Sequence, residues 1–178
     1  YYDAYSMGID GPDYSQVFSL TNNTFINEGS QSSGVGLMLY DSYSYDNFYE
    51  FLGFENLHSN IFNNFEYAIY EEYTGDLAYH FRNNNFYNNE YDFNSLNHNQ
   101  FGEDYTFFSN SNGFPCDANM NIYTDPMFTD EDYLLTELSP CIDAGFPNVD
   151  LDPDGTINDI GYIYFDQLDN DNEIYGCT

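Results

Sequence analysis

Hydrophobic and polar residues alternate along several stretches of the chain with the two-residue period of a β-strand. Clear examples lie at residues 35–39, 65–69 and 77–81. Asn, Asp, Gly and Ser separate these stretches, as expected for turns between strands. No stretch of a dozen residues shows the 3.6-residue period and the caps of a helix. The pattern therefore predicts an all-β protein.

One short segment occurs three times, as LTNNTFIN, LHSNIFNN and FRNNNFYN. Aligning Phe25, Phe62 and Phe86 places an apolar residue five positions before each aromatic residue. The alignment also places Asn two positions before it (Asn23, Asn60, Asn84) and two positions after it (Asn27, Asn64, Asn88). A repeat of this length without helical signal predicts a β-solenoid, in which each coil stacks on the next.

The repeated Asn residues have a physical role in such a stack. Asn tolerates left-handed backbone at a tight turn, and its amide can hydrogen-bond to the Asn of the next coil. We therefore expect a structural ladder at Asn27, Asn64 and Asn88. The competing explanation is that a chain so rich in Asn produces these matches by chance.

The charge of the chain excludes two classes of partner. There are 31 acidic residues and one Lys or Arg, Arg82, which gives a formal net charge of −30. Nucleic acids and anionic membrane surfaces need a cationic footprint that this chain lacks. No apolar run of about 18 residues is present, so membrane insertion is not expected either. Disorder is disfavoured by 20 Tyr and 17 Phe, because disordered chains are poor in aromatic residues.

Three motifs near the end of the chain carry a family resemblance. DPMF, YLLTELSPCIDAG and DPDGTINDIG occur in this order between residues 125 and 161. They resemble the C-terminal end of secreted bacterial right-handed parallel β-helix proteins of the pectate-lyase-like superfamily. Two positions depart from that ending: Asn158 stands where a basic residue is usual, and Tyr162 where Ala is usual. The first departure removes an expected partner of Asp159.

The resemblance implies a parallel β-helix of about three or four coils that ends in an irregular C-terminal capping segment. The domain would cover residues 1–165, with the cap at about 115–165 and an acidic tail or linker to a following module at 166–178. It also implies an extracellular or cell-surface location. In an oxidising compartment Cys116 and Cys141 are the preferred disulfide pair, and buried free thiols are the alternative.

Candidates for catalysis are weak. In the superfamily that this chain resembles, polysaccharide lyases use Arg or Lys as a base, and Ca²⁺ neutralises the carboxylate of the substrate. Arg82 is the one residue that could act so, with His80 on the same face of a strand. The alternative is that His80 and Arg82 face outward and have no catalytic role, with Arg82 forming local salt bridges.

The acidic loop after Cys141 resembles the first half of a calcium-binding loop. The candidate metal ligands are Asp150, Asp152, Asp154, Thr156, Asn158 and Asp159. Gly161 stands where the closing Glu of an EF-hand belongs, so a looser Ca²⁺ site completed by Asp159 or Asp143 is predicted instead. A solvated acidic turn, shaped by its Asp and Gly residues, is the alternative.

These observations favour a non-catalytic extracellular module that is structural or adhesive and able to form filaments. Its partners would be other copies of itself or further domains of a parent protein. The alternative is a domain that binds or degrades polysaccharide, as a lyase or a glycoside hydrolase, with Tyr side chains stacked on sugar rings.

Overall fold

The computed structural model describes residues 6–8, 19–29, 34–40, 57–71, 81–94, 102–129, 132–147 and 149–168. Within these ranges the regular structure is almost entirely strand, with one short 3₁₀ helix at Glu103–Tyr105. The strands are β1 Ser6–Gly8, β2 Leu20–Thr21, β3 Thr24–Ile26, β4 Val35–Tyr40, β5 Leu57–His58, β6 Ile61–Asn63, β7 Tyr67–Glu71, β8 Asn85–Tyr87, β9 Tyr91–Phe93, β10 Phe108–Ser109 and β11 Pro115–Cys116. The all-β prediction is confirmed. In the same ranges, no helix has the length and apolar character needed to cross a membrane.

Three short parallel sheets hold most of these strands. Sheet I contains β2 and β5, sheet II contains β3, β6 and β8, and sheet III contains β1, β4, β7 and β9. The chain passes through sheets I, II and III in this order, and then returns to sheet I for the next repeat. The register places Phe25 beside Phe62 and Phe62 beside Phe86. The structure therefore aligns the repeats as the sequence does.

The core between the sheets is built around a column of aromatic rings. Phe25 and Phe62 are stacked with ring centroids 4.9 Å apart, and Phe62 and Phe86 with centroids 5.3 Å apart. Tyr123 continues the column below Phe86 at 5.9 Å. Phe62 and Phe86 are almost fully buried, and each burial stabilises the fold by roughly 2–3 kcal/mol. Since the rings sit at equivalent positions, stacking also holds the register of neighbouring strands.

A hairpin closes one end of sheet II. Ile122 forms a parallel bridge with Asn85 of β8, and Cys116 then forms an antiparallel bridge with Ile122. Strand β11, which contains Cys116, pairs antiparallel with β10. The row of parallel strands therefore continues into antiparallel strands supplied by residues 108–116, which leaves no parallel edge at this end.

The irregular segment after Asp125 was expected to cover the last coil. Its contacts run along the outer side of sheet II from the third repeat, where the Asn83 amide donates to the Ala144 carbonyl, as far as the first repeat. Gly161 donates its N–H to the Ser59 carbonyl at 2.8 Å, and Tyr162 donates to Thr24 Oγ1 at 3.0 Å. The physical reason is the strand alternation: Ile61 points away from the aromatic column and packs against Ile160 in a second apolar cluster. An apolar outer face of a sheet must be covered by another layer.

Candidate functional site

A buried ladder of Asn side chains runs through the repeats beside the aromatic column. Asn23 donates its backbone N–H and its side-chain amide to Oδ1 of Asn60, both at 3.0 Å. Asn60 donates in the same way to Asn84, and Asn84 to Asn121. The four residues are separated by 37, 24 and 37 positions. The ladder therefore marks a fourth repeat that the three aligned segments do not include.

Asp117 terminates this ladder. Its Oδ1 accepts the backbone N–H of Asn121 at 3.0 Å, as the side-chain oxygen of an Asn does in each earlier repeat. Its carboxylate also accepts hydrogen bonds from the Asn121 amide, from Asn119 N–H and from the Tyr123 hydroxyl. Burial raises the pKa of Asp117, and these hydrogen bonds oppose the rise. A carboxylate has no amide to donate onward, so the ladder stops there.

The Asn residues predicted as a ladder lie at an outer turn. Asn88 donates its amide to Oδ1 of Asn64 at 3.0 Å, and Asn64 donates to the backbone carbonyl of Asn27 at 2.5 Å. Asn64 and Asn88 have left-handed φ values of 69° and 56°, which Asn tolerates better than most residues. The buried series is more regular than this outer series, because the same pair of hydrogen bonds recurs at each step of Asn23, Asn60, Asn84 and Asn121.

A polar cavity of about 290 Å³ lies beside β8, β9 and the 3₁₀ helix. It is lined by Phe86, Tyr87, Asn88, Asn89, Asp92, Glu103 and Tyr123. β8 and the turn after it supply the first four of these residues, β9 supplies Asp92, and the 3₁₀ helix supplies Glu103. The bridge between Ile122 and Asn85 places Tyr123 next to β8, which lies much earlier in the sequence.

The electrostatics of the cavity are dominated by carboxylates. Burial raises the pKa of Asp92 to about 7, a hydrogen bond from Asn89 opposes the rise, and the charges of Glu103 and Asp117 add to it. The pKa of Tyr123 is raised well above its ordinary value, first by burial and then by Asp117 and Asp92. Asp92 is therefore protonated for much of the time at neutral pH. Neither its position in the sequence nor its sequence neighbours predict this property.

Arg82, one of the two weak catalytic candidates, is not brought to this cavity. Its side chain is exposed and its backbone forms a β-bridge with His58 of β5, and it is not among the residues that line the cavity. His80, the other candidate, lies outside the described residues. The predicted placement of His80 beside Arg82 therefore stays a prediction.

The predicted calcium loop uses its carboxylates to hold its own backbone. Asp154 Oδ1 accepts Thr156 N–H and Thr156 Oγ1–H, and its Oδ2 accepts Gln167 N–H. These hydrogen bonds lower the pKa of Asp154. Asp152 Oδ2 accepts the backbone N–H of Asp159 at 2.9 Å, and the Thr156 carbonyl accepts the N–H of Asp152. The loop has the hydrogen bonds of a compact turn.

The other predicted ligands point in different directions. Asp159 accepts the backbone N–H groups of Asp143 and Phe165, and burial raises its pKa to about 6. Asn158 is buried and donates to Ser59 Oγ, whereas Asp150 is exposed. No group of three His, Cys, Asp or Glu side chains among the described residues is arranged to hold a metal ion. Calcium binding at this loop stays a prediction.

Cys116 and Cys141 lie in the second apolar cluster as free, fully buried thiols. Burial raises the pKa of Cys116 to about 11, and the pKa of Cys141 is raised further by the same cause. Both are therefore unreactive thiols in the folded structure. Their pairing in an oxidising compartment stays a prediction, and Cys177 lies outside the described residues.

Searches with family models, curated proteins and solved structures returned no match to this chain. Function is therefore argued from the site itself. The cavity carboxylates and Asp117 were missed by sequence reasoning, because no Asp recurs with the repeat. The fourth repeat did leave a signal: Asn121 and Tyr123 reproduce the two-residue spacing of Asn84 and Phe86.

Proposed function

We propose that this chain is a non-catalytic β-solenoid module of an extracellular or cell-surface protein, with a structural or adhesive role. The observation that carries the proposal is the Asn ladder, which runs through four repeats and is terminated by Asp117. The successive passage through sheets I, II and III, with one aromatic ring per repeat, supports the proposal of a parallel β-helix. It also supports the resemblance to secreted bacterial β-helix proteins.

Self-association is part of the proposal, and the ends of the sheets differ in their capacity for it. Residues 108–116 occupy the end of sheet II next to Ile122. At the other end, no described strand pairs with the outer edges of β2 and β3. A strand edge without a partner can template pairing with another chain. Copies, or further coils of a parent protein, would therefore add at the β2–β3 end.

Association can be tested by sedimentation velocity and electron microscopy over a range of protein concentrations. A Lys on an edge strand disfavours pairing, so Ile26→Lys in β3 should reduce association. Ile163→Lys places the same charge on a partly exposed residue of the C-terminal segment and is the matched control. A monomer at every concentration, with a fully folded thermal melt, would remove self-association from the proposed function.

Bound Ca²⁺ is proposed as a stabiliser of this module, because a chain of charge −30 gains from cations. A ligand that binds the folded state alone raises the melting midpoint. Melting should be followed with millimolar Ca²⁺ and with chelator at constant ionic strength. Asp152→Asn should abolish a midpoint shift caused by the loop, whereas exposed Asp132→Asn should not. An unchanged midpoint would remove calcium from the proposal.

Carbohydrate binding is the second candidate, and one observation favours it. Tyr105 and Phe107 lie two and four positions after Glu103. Their rings meet edge to face at 6.3 Å, and Phe107 is 79% exposed. An exposed aromatic ring such as that of Phe107 suits stacking on a sugar ring. Retardation in polysaccharide gels should be lost in Phe107→Ala and kept in Leu168→Ala, which removes a comparably exposed side chain. Release of reducing or unsaturated sugars would separate degradation from binding.

A further inference from the structure

The cavity beside β9 holds hydrogen-bond donors that are already in use. The Tyr123 hydroxyl donates to Asp117, and the Tyr87 hydroxyl is hydrogen-bonded to Asp125. The Asn89 amide donates to the Phe62 carbonyl and to Oδ1 of Asp92. A ligand that needs donors from the protein would find few there.

The carboxylates of the cavity, in contrast, have hydrogen-bond acceptor positions that the described residues do not use. Asp92 receives one hydrogen bond, from Asn89 to Oδ1 at 3.2 Å. Within the described part of the chain, no hydrogen bond reaches Oδ2 of Asp92 or the carboxylate of Glu103. Asp92 is partly buried and Glu103 is exposed, and both line the cavity. The cavity therefore suits a ligand that donates hydrogen bonds and carries positive charge.

No Lys or Arg of the chain can supply that charge. Arg82 is the single Lys or Arg of the sequence, and it is not among the lining residues. Burial raises the pKa of Asp92, and the charges of Glu103 and Asp117 add to the rise. Among the described residues no cationic side chain offsets these charges, so the cation inferred here is supplied by a ligand.

The shape of the cavity favours an organic cation over a bare metal ion. Ca²⁺ needs six to eight oxygen ligands, whereas two carboxylates face this space. The rings of Tyr87 and Tyr123 are part of the lining, and aromatic rings stabilise ammonium groups through cation–π attraction. The volume of about 290 Å³ lies near the lower end of the roughly 300–1,000 Å³ typical of small-molecule sites.

We propose that this cavity is a binding site for a primary ammonium group, held between the carboxylates of Asp92 and Glu103 beside the Tyr rings. The ammonium belongs to a free amine or to a Lys side chain of a partner. The site is independent of the solenoid role proposed above, since binding here neither requires nor blocks association at the β2–β3 end.

NMR titration of the full chain with putrescine (1,4-diaminobutane) at fixed ionic strength tests the proposal. The side-chain amide of Asn89 is the reporter because it donates to Asp92, and the side-chain amide of Asn23, at the far end of the ladder, is the reference. The Asn89 signals should shift in a saturable way while the Asn23 signals stay in place. A short peptide with one Lys, run in parallel, shows whether a partner's side chain binds more tightly than a free diamine.

Three variants make the result specific. A charge-assisted hydrogen bond contributes about 1.5–3 kcal/mol, so Asp92→Asn and Glu103→Gln should each weaken putrescine binding roughly tenfold or more. Glu137→Gln removes one exposed carboxylate elsewhere and should change binding less than twofold. Because Glu103 is exposed, Glu103→Gln remains informative even if Asp92→Asn fails to fold.

Four results would overturn the assignment. They are an unshifted Asn89 amide, equal weakening by Glu137→Gln and the cavity variants, saturation of the Asn89 shift by an uncharged oligosaccharide, and saturation by Ca²⁺ at lower concentration than by putrescine. The second would show diffuse attraction to the acidic surface. The third would favour the carbohydrate candidate, and the fourth would assign the cavity to a metal ion.

Discussion

Oδ1 of Asn84 accepts two hydrogen bonds from Asn60, one from its backbone N–H at 2.9 Å and one from its side-chain amide at 3.1 Å. Both residues are completely buried. The Asn60 amide donates in addition to the carbonyl of Leu20 in the preceding repeat at 2.7 Å. A single side chain therefore bonds to the repeats on both sides, which couples their stability.

Asn60→Ala should be among the most destabilising substitutions in the chain. It removes the acceptor of Asn23 and leaves the buried Oδ1 of Asn84 with fewer donors, so we expect a loss of about 2–4 kcal/mol in the free energy of unfolding. Urea denaturation followed by circular dichroism measures this loss. Asn88→Gly, at the exposed outer turn, is the control. Gly adopts the left-handed φ of Asn88 without strain, so the loss should stay below about 1 kcal/mol. Similar losses in the two variants would show that the buried ladder contributes no more to the free energy of unfolding than the exposed outer turn does.

Stability should fall as pH rises through the range in which Asp92 titrates. The pKa of Asp92 is about 7 in the folded chain, against an ordinary value of 3.8. Between these values the folded state retains a proton that the unfolded state has released, so each increase in pH favours unfolding until about pH 7. Asp159, with a pKa of about 6, acts in the same direction over a narrower range.

Asp92→Asn should therefore flatten the pH dependence of stability. The parent chain should lose free energy of unfolding between pH 4 and pH 8. We expect this loss to be smaller in the variant by about 1–2 kcal/mol, after allowance for the partial exposure of Asp92. Thermal melts at half-unit pH intervals measure the effect. Exposed Asp150→Asn is the matched control. Parallel pH profiles for the parent chain and Asp92→Asn would contradict the assignment.

The thiols of Cys116 and Cys141 should be inert in the folded chain and reactive after unfolding. Both are buried and both pKa values are raised by burial, whereas a thiolate is the reactive species. In a Cys177→Ser background, a thiol reagent should titrate two groups in denaturant without reductant. Two thiols that appear only after reduction would establish the Cys116–Cys141 disulfide instead.

Gly145→Ala should loosen the C-terminal segment from sheet II. A Cβ atom at this position would lie 2.5 Å from the backbone carbonyl oxygen of Asn158 and 2.6 Å from its side chain. Asn158 is itself bonded to Ser59 of the repeat, so we expect a loss of roughly 1–3 kcal/mol. Limited proteolysis between residues 145 and 168 reports the loosening directly. Leu151→Ala, at an exposed residue, should leave the proteolysis rate unchanged.

The local pattern of the sequence predicts the strands and their alignment well. The spacing of Phe25, Phe62 and Phe86 predicts which residues lie side by side, because stacked rings occupy equivalent positions in successive repeats. It does not predict the cavity, because Asp92 of β9 and Glu103 of the 3₁₀ helix lie in elements that share no repeat position. The path of the C-terminal segment was also not predictable, since the outward apolar face of Ile61 becomes evident only once the strand orientation is known.

The unequal spacing of 37, 24 and 37 residues along the ladder has a consequence for how this chain can vary. The extra residues between Asn84 and Asn121 follow β9, whereas those between Asn23 and Asn60 lie on both sides of β4, because Phe25 pairs with Phe62 and Val35 with Tyr67. Segments next to sheet III therefore differ in length while the amide bonds of the ladder are kept. The cavity lies next to β9 of this sheet, between the turn that precedes the strand and Glu103, which follows it. Grafting other loops there is a route to new binding preferences on an unchanged scaffold.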